Sequence, residues 1–233
     1  MIHFHGIAET IAETIAPAIA SLGLICRGDT RVGSDDNVAP PLTALVMIGN
    51  TGAAMWHAFT ADVPKAEREA ATHPLDDWIR HRIGDVARRL GARAVFPFDG
   101  PPFHPFLQWA QRADMVFPSP IGSLIHPHFG LWHAYRAVLL FSEPLETTPR
   151  PAGTSPCATC AGQPCRSTCP VGAIGAGVYD VTACVRHLAS AAGADCMTLG
   201  CRARRACPVG AAEPYHPDQV AFHMERFRAA HAA

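Results

Sequence analysis

Apolar residues occur along the chain in two patterns, helical spacing and short uninterrupted runs, which predict alternating helices and strands. Across residues 7–22 and 76–90 they lie three or four positions apart, as in helices with one buried face. The runs 24–27 and 42–49 are mostly apolar, and the second, Leu-Thr-Ala-Leu-Val-Met-Ile-Gly, suits a central strand. The pattern therefore predicts an α+β domain in which a sheet is layered against helices.

Shorter elements and a change of composition complete this picture. Strands are expected at 94–98, 123–126 and 135–141, and helices at 104–112 and 217–230. Residues 146–156 are rich in Thr, Pro and Gly and read as a linker. We therefore expect a larger layered domain at 1–148 and a smaller cysteine-rich domain at 149–233 that closes with a helix.

Composition and charge limit the classes of protein that fit. The chain has 233 residues, of which 48% are hydrophobic and 17% charged, with a formal net charge of -1. This balance excludes long disorder, and there is no basic excess of the kind that non-specific nucleic-acid binding needs. The first residues lack a basic start and include Glu9 and Glu13, and no apolar run is long enough to span a membrane. We expect a cytoplasmic protein without a membrane partner.

Eight of the nine cysteines fall within 157–207, in two groups that each end in Cys-Pro-Val-Gly-Ala. The groups are Cys157, Cys160, Cys165 and Cys169, then Cys184, Cys196, Cys201 and Cys207. Without an export signal, such clustering predicts metal binding rather than disulfides. Eight thiolates supply two 4Fe–4S clusters with none left over. The ninth, Cys26, lies on a predicted strand and is expected to be a small buried residue.

The cysteine before proline often ligates the other cluster in two-cluster ferredoxins, so the groups are expected to exchange one ligand each. One cluster would then be held by Cys157, Cys160, Cys165 and Cys207, and the other by Cys169, Cys184, Cys196 and Cys201. The spacing departs from the ferredoxin pattern, since two residues are inserted between Cys160 and Cys165. Two structural zinc sites are the alternative, although zinc does not explain the paired Cys-Pro endings.

Several stretches of the chain resemble known families. The segment Ile-His-Pro-His-Phe-Gly-Leu-Trp-His-Ala-Tyr-Arg, which begins at Ile125, resembles CblC-type cobalamin-processing proteins. The motif Asp-Gly-Pro-Pro at Asp99, the lone-cysteine segment Cys-Val-Arg-His-Leu and the order of the cysteines are similar to epoxyqueuosine reductases. Both families share a nitroreductase-like fold that holds cobalamin.

The resemblance implies roles for particular residues. Asp99 is implied as the catalytic proton donor to a departing oxygen; by position alone, a carboxylate after a strand more often closes a turn. The residues implied to contact cobalamin are Gly122, Ser123, Ile125, His126, Phe129, Gly130 and Trp132. On spacing alone, the histidines of this stretch, His126, His128 and His133, would read as part of a solvated turn.

These features predict an iron–sulfur, cobalamin-binding reductase that passes electrons from two 4Fe–4S clusters to a corrinoid. It would process the corrinoid or reduce a small substrate, and would draw electrons from an external ferredoxin, flavodoxin or reductase. We do not expect tRNA as a partner, because the chain lacks the helical-repeat tail of the epoxyqueuosine enzymes and a basic patch. The alternatives are a ferredoxin-type electron carrier that binds no corrinoid and a flavin-dependent reductase on the same fold.

Overall fold

The computed structural model describes residues 11–143, 147–175 and 178–231, which fold as two compact units. Of the described residues, the first unit contains those of 11–115 and 134–152, and the second contains those of 116–133 and 153–231. The helices are α1 (Ala16–Ala20), α2 (Ala54–Asp62), α3 (Lys65–Ala70), α4 (Pro74–Leu90), α5 (Phe106–Ala113), α6 (Val181–Leu188), α7 (Ala194–Leu199), α8 (Arg202–Arg205) and α9 (Pro217–Ala230). The strands are β1 (Ile25–Arg31), β2 (Ala44–Thr51), β3 (Arg93–Val95), β4 (Phe117–Pro118), β5 (Leu124–Ile125) and β6 (His133–Phe141).

The first unit is built on a sheet with the strand order β1–β2–β6–β3. β1 runs antiparallel to β2, with Ile25 opposite Gly49, and β3 runs antiparallel to β6, with Val95 opposite Val138. The inner strands β2 and β6 are buried over most of their length. The prediction that 42–49 forms a central strand is therefore confirmed, because only a strand covered on both faces can be apolar throughout.

Helix α4 has the apolar stripe predicted for it. Its inward residues Ile79, Ile83, Val86 and Leu90 are all buried. The helix begins at Pro74 with two aspartates in its first turn, and it ends at Gly91 in the left-handed conformation. The predicted first helix is only partly visible: its start at 7–10 lies outside the described residues, and its remainder forms a π-helical turn (Ile11–Ile15) followed by α1. No helix in the described ranges is long and apolar enough to cross a membrane.

The second unit joins two segments that are distant in the sequence. Its hairpin of β4 and β5 places Phe117 opposite Ile125. Ile125 and Leu131 form one buried apolar cluster with Cys207. Trp132 forms another, with Tyr215 and Val220. Residues 116–133, which the sequence places in the larger domain, thus share a core with the cysteine-rich segment because their apolar side chains are buried against it.

Several elements differ from the sequence expectation. Strand β3 stops at Val95 instead of continuing to residue 98, because the Phe96 N–H donates to the carboxylate of Asp99 rather than to a neighbouring strand. Helices α2 and α3 were not predicted. The first lacks a clear polar face and the second buries no side chain, so neither gives a periodic signal.

Candidate functional site

The cysteines assigned to one cluster lie near one another in the second unit. Cys207 is buried in the cluster with Ile125 and Leu131, and Cys157 packs against it. Burial is the main cause that raises the pKa of each of these thiols, and the Cys160 thiol raises both further. Burial also raises the pKa of Cys165, with Cys207, Cys157 and Cys160 as its interacting neighbours. The four thiols therefore lie close enough to influence one another.

The other four cysteines surround a cavity of about 320 Å³ in the same unit. The thiol-bearing residues on its wall are Cys169, Cys184, Cys196 and Cys201. Most of the remaining wall is apolar, including Ala173, Leu188 and Met224. Burial raises the pKa of Cys184, and the thiols of Cys201, Cys169 and Cys196 raise it further. An apolar cavity with thiols on its wall suits a group that needs thiolate ligands and little water.

Short helices position the thiols of this second set. Helix α6 carries Cys184, and Asp180 caps its start by accepting a hydrogen bond from the Ala183 N–H at 2.8 Å. Cys196 lies on α7, while Cys201 precedes α8. These helices are too short to be stable alone, so their packing within the second unit fixes the arrangement.

The thiol groups differ in how well they match a single metal ion and a larger cluster. In the part of the chain that the structure describes, no three Cys, His, Asp or Glu side chains are arranged as a site for a metal ion. The second set nevertheless surrounds a cavity with thiols and apolar walls, which fits the chemistry of a 4Fe–4S cluster.

The predicted corrinoid-contact residues lie on a tight turn of the second unit. His126 and Gly130 exchange backbone hydrogen bonds of 2.9 and 2.8 Å. The His126 ring accepts hydrogen bonds at Nδ1 from the backbone N–H groups of His128 and Phe129, at 3.0 and 3.2 Å. The same ring stacks on Phe129 with centroids 4.4 Å apart. His126 is therefore a residue that shapes the turn.

The turn packs directly on the loop that follows Cys207. Gly130 has φ +57°, and a β-carbon there would overlap the carbonyl oxygen of Val209. Gly210 has φ +72°, and a β-carbon there would overlap the carbonyl group of Phe129. The two backbones can approach this closely only because both positions are glycine. The predicted cofactor turn and the Cys207 loop are therefore one packed feature.

The other predicted contact residues divide into exposed and buried ones. Gly122 and Ser123 are exposed in the loop between β4 and β5, where the Ser119 N–H donates to the Ser123 carbonyl at 3.0 Å. Ile125 and Trp132 are only 1% and 6% exposed and belong to the apolar clusters of the second unit. Their side chains thus stabilise the unit that carries the turn.

Asp99 closes a turn in the first unit. Its Oδ2 accepts a hydrogen bond from the Phe96 N–H at 2.8 Å, and its Oδ1 forms an ion pair with Arg80 at 2.8 Å. The Arg80 guanidinium also lies over the rings of Phe96 and Phe98, at 4.9 and 4.8 Å from their centroids. The carboxylate is 27% exposed, which leaves it accessible to a ligand. Asp99 therefore closes a turn, as its sequence context favours.

Sequence reasoning missed Arg204 as an organising residue. Its guanidinium lies 4.5 Å from the ring centroids of both Trp132 and Tyr215, and its Nε donates to the Leu131 carbonyl at 3.0 Å. This arginine therefore connects α8 to the segment that ends the predicted cofactor turn. No motif could have indicated it, since the residues it joins are about 70 positions apart.

Cys26, the cysteine outside both sets, lies on β1 and is half-buried. Burial, followed by the charge of Asp29, raises the pKa of its thiol to about 12. The thiol is therefore protonated near neutral pH and a poor metal ligand or nucleophile.

The first unit's layered sheet and helices, together with the second unit, place the chain in the class of nitroreductase-like α+β folds. Among solved structures it is similar to the B12-trafficking protein CblC of C. elegans, with a TM-score of 0.55, 17% identity and coverage of 95% of both chains. It is also similar to epoxyqueuosine reductase from Streptococcus thermophilus, with a TM-score of 0.54, 13% identity, and coverage of 91% of this chain and 70% of that one. An epoxyqueuosine reductase bound to a tRNA-Tyr stem loop matches with a TM-score of 0.54, 16% identity, and coverage of 90% and 68%.

At these identities the similarity establishes the fold, and the fold expected from the sequence resemblance is confirmed. No model of a protein family matches the chain, and no curated protein matches it.

Proposed function

We propose that this protein is an iron–sulfur, cobalamin-binding reductase. Its second unit would hold two 4Fe–4S clusters, and the turn at 126–130 would contribute to a corrinoid site. When bound, the clusters supply single electrons and the corrinoid supplies a cobalt centre for two-electron chemistry. The substrate would be the corrinoid itself, as in decyanation or dealkylation, or a small molecule that the corrinoid reduces.

The contact between the Cys207 loop and the Phe129–Gly130 turn carries this proposal. Gly130 and Gly210 bring the two backbones into contact, so a cluster ligated by Cys207 would lie beside the turn. Electron transfer requires such closeness, and rigid packing maintains it without any movement of the chain. The two thiol sets, one around Cys207 and one around the cavity, supply the eight ligands that two clusters need.

The residues of the turn would take different parts in the corrinoid site. Gly122, Ser123 and Phe129 retain exposed surface and would contact the ligand. His126 would hold the turn in shape through its ring nitrogen, and Trp132 would anchor it in the core of the second unit. This division assigns binding to exposed atoms and positioning to buried ones.

A ferredoxin-type electron carrier without corrinoid is the second candidate. The internal use of Ile125, His126 and Trp132 favours it, since side chains committed to the core contribute little to a ligand. Under either function an external ferredoxin, flavodoxin or reductase would donate the electrons. One structural neighbour binds a tRNA stem loop. We do not propose tRNA here, because the net charge of -1 gives no excess of positive charge for it.

Anaerobic purification followed by metal analysis tests the proposed function. We expect about eight irons and eight inorganic sulfides per chain, with a broad absorbance that bleaches with dithionite. Titration with hydroxocobalamin should saturate at one equivalent and shift the corrinoid bands when the protein is reduced. Binding of iron without binding of corrinoid would support the ferredoxin-type electron carrier instead. Zinc in place of iron, or flavin fluorescence after denaturation, would contradict both.

We also propose that Asp99, once protonated and released from its ion pair with Arg80, donates that proton to a departing oxygen. In Asp99→Asn the amide oxygen can still accept from the Phe96 N–H, while the ion pair with Arg80 is lost. That pair is partly exposed, so stability should change by less than about 1 kcal/mol. Loss of an acid is expected to slow turnover by about 100-fold or more, with iron and corrinoid content unchanged. Equal rates for Asp99→Asn and the original protein would disprove the role.

A further inference from the structure

Two polar side chains other than cysteine point at the thiols of the cavity lined by Cys169, Cys184, Cys196 and Cys201. His187 follows Cys184 by three positions on α6, so both lie on the same face of the helix. The His187 Nε2 lies 3.9 Å from the Cys196 Sγ. The Tyr179 hydroxyl lies close enough to the Cys184 thiol to lower its pKa. Both Tyr179 and His187 are on the cavity wall.

The surrounding structure holds both side chains in these positions. Tyr179 forms a backbone bridge with Ile174, and its ring stacks on Phe227 of α9 with centroids 6.1 Å apart. The next residue, Asp180, caps α6, which fixes the start of the helix that carries Cys184 and His187. Backbone pairing, ring stacking and helix capping therefore hold both residues on the cavity wall, while Tyr179 keeps 44% of its surface exposed.

A ligating thiolate has no proton and can only accept hydrogen bonds. Toward such a thiolate, the Tyr179 O–H and a protonated His187 Nε2 are donors. A hydrogen bond to sulfur stabilises the reduced cluster more than the oxidised one, because the reduced cluster carries one more negative charge. Each donor therefore raises the reduction potential of the cluster that it contacts.

We propose that Tyr179 and His187 are potential-tuning residues. They donate hydrogen bonds to the Cys184 and Cys196 thiolates and raise the reduction potential of the cluster in this cavity relative to the same cluster without them. This inference rests on the proposed function, since it requires a cluster at that position. It adds that the two clusters have chemically different surroundings, because the polar side chain beside Cys157 of the first set is Ser155, whose Oγ accepts a hydrogen bond from the Cys157 backbone N–H at 3.3 Å.

Redox titration of the complete, cluster-loaded protein, followed by electron paramagnetic resonance, tests the inference. Tyr179→Phe removes only the hydroxyl, and His187→Leu removes the ring donor. Each is expected to lower the equilibrium constant for reducing one cluster by roughly tenfold, which is about 59 mV for one electron. The potential of the other cluster should stay unchanged, and His187→Gln, which keeps a side-chain N–H donor, should recover most of the shift.

Ser155→Ala is the matched control, because it should move the potential of the first cluster only. Unchanged potentials in Tyr179→Phe and His187→Leu, or equal shifts of both clusters, would overturn the inference. Loss of iron without a potential shift in the clusters that remain would show a purely structural role and would also overturn it. The original protein distinguishes the two claims: if it binds fewer than two clusters, the proposed function fails before the variants are compared.

Discussion

Replacing Cys165 and Cys207 together by serine is expected to remove about four irons per chain, whereas replacing Cys165 and Cys169 together should remove about eight. The physical reason is the exchange of one ligand between the two sequence groups. Cys165 and Cys207 would ligate the same cluster, so their double variant loses only that one. Cys169 lines the cavity of the second thiol set, together with Cys184, so its replacement would affect the second cluster.

Both double variants remove two thiols, so the difference in iron loss between them shows whether the two sequence groups exchange a ligand or each hold their own cluster. If each sequence group held its own cluster, Cys165→Ser with Cys169→Ser would remove four irons and Cys165→Ser with Cys207→Ser would remove eight. Cys26→Ser serves as the control, because that thiol lies on β1 and should leave the iron content unchanged. Iron and sulfide analysis, with circular dichroism to check the fold, completes the experiment.

The periodic elements could be predicted from the sequence because one face of each is buried. The closing helix α9 begins and ends where the sequence places it, and α4 begins two residues earlier than expected. Helix α2 was not predicted, because it buries Met55, Trp56 and Phe59 but has no clearly polar face opposite them. Its environment is decided by tertiary packing, which no local pattern reports.

The division into units shows a second limit of sequence reasoning. The change of composition near 146–156 marks a boundary along the chain, and the structure changes unit close by, after residue 152. Residues 116–133 nevertheless pack with the cysteine-rich segment through Leu131 and Trp132. An apolar residue in the sequence indicates burial but not the partner against which it is buried. Only the structure could therefore show that residues 116–133 belong to the second unit.

The candidate site was predicted unevenly for a similar reason. Cysteine is rare and its grouping is informative, so all eight candidate ligands could be named from the sequence. Tyr179 and His187 carry no such signal. Neither residue type specifies a site, and the two act through the thiols of Cys184 and Cys196 only once the short helices pack. The turn residues lie between these cases, because a family resemblance named them without showing which are buried.

Gly130→Ala is expected to destabilise the second unit by at least about 3 kcal/mol and to remove the first cluster. The backbone at this position has φ +57°, which alone costs an alanine about 1–2 kcal/mol. The new methyl group would also overlap the Val209 carbonyl, and backbone cannot yield as a flexible side chain can. The Cys207 loop must then move away from the turn. Denaturant unfolding and iron analysis should both report the change.

Gly122→Ala separates the strain of the backbone from the loss of contact. Gly122 also has a positive φ of +83°, yet a β-carbon there would meet nothing within 4 Å. This variant should therefore cost only about 1–2 kcal/mol and keep both clusters. If Gly130→Ala and Gly122→Ala behaved alike, conformational strain would be the whole effect. The close packing between turn and Cys207 loop would then contribute nothing measurable, and the main support for a cluster beside the corrinoid turn would be lost.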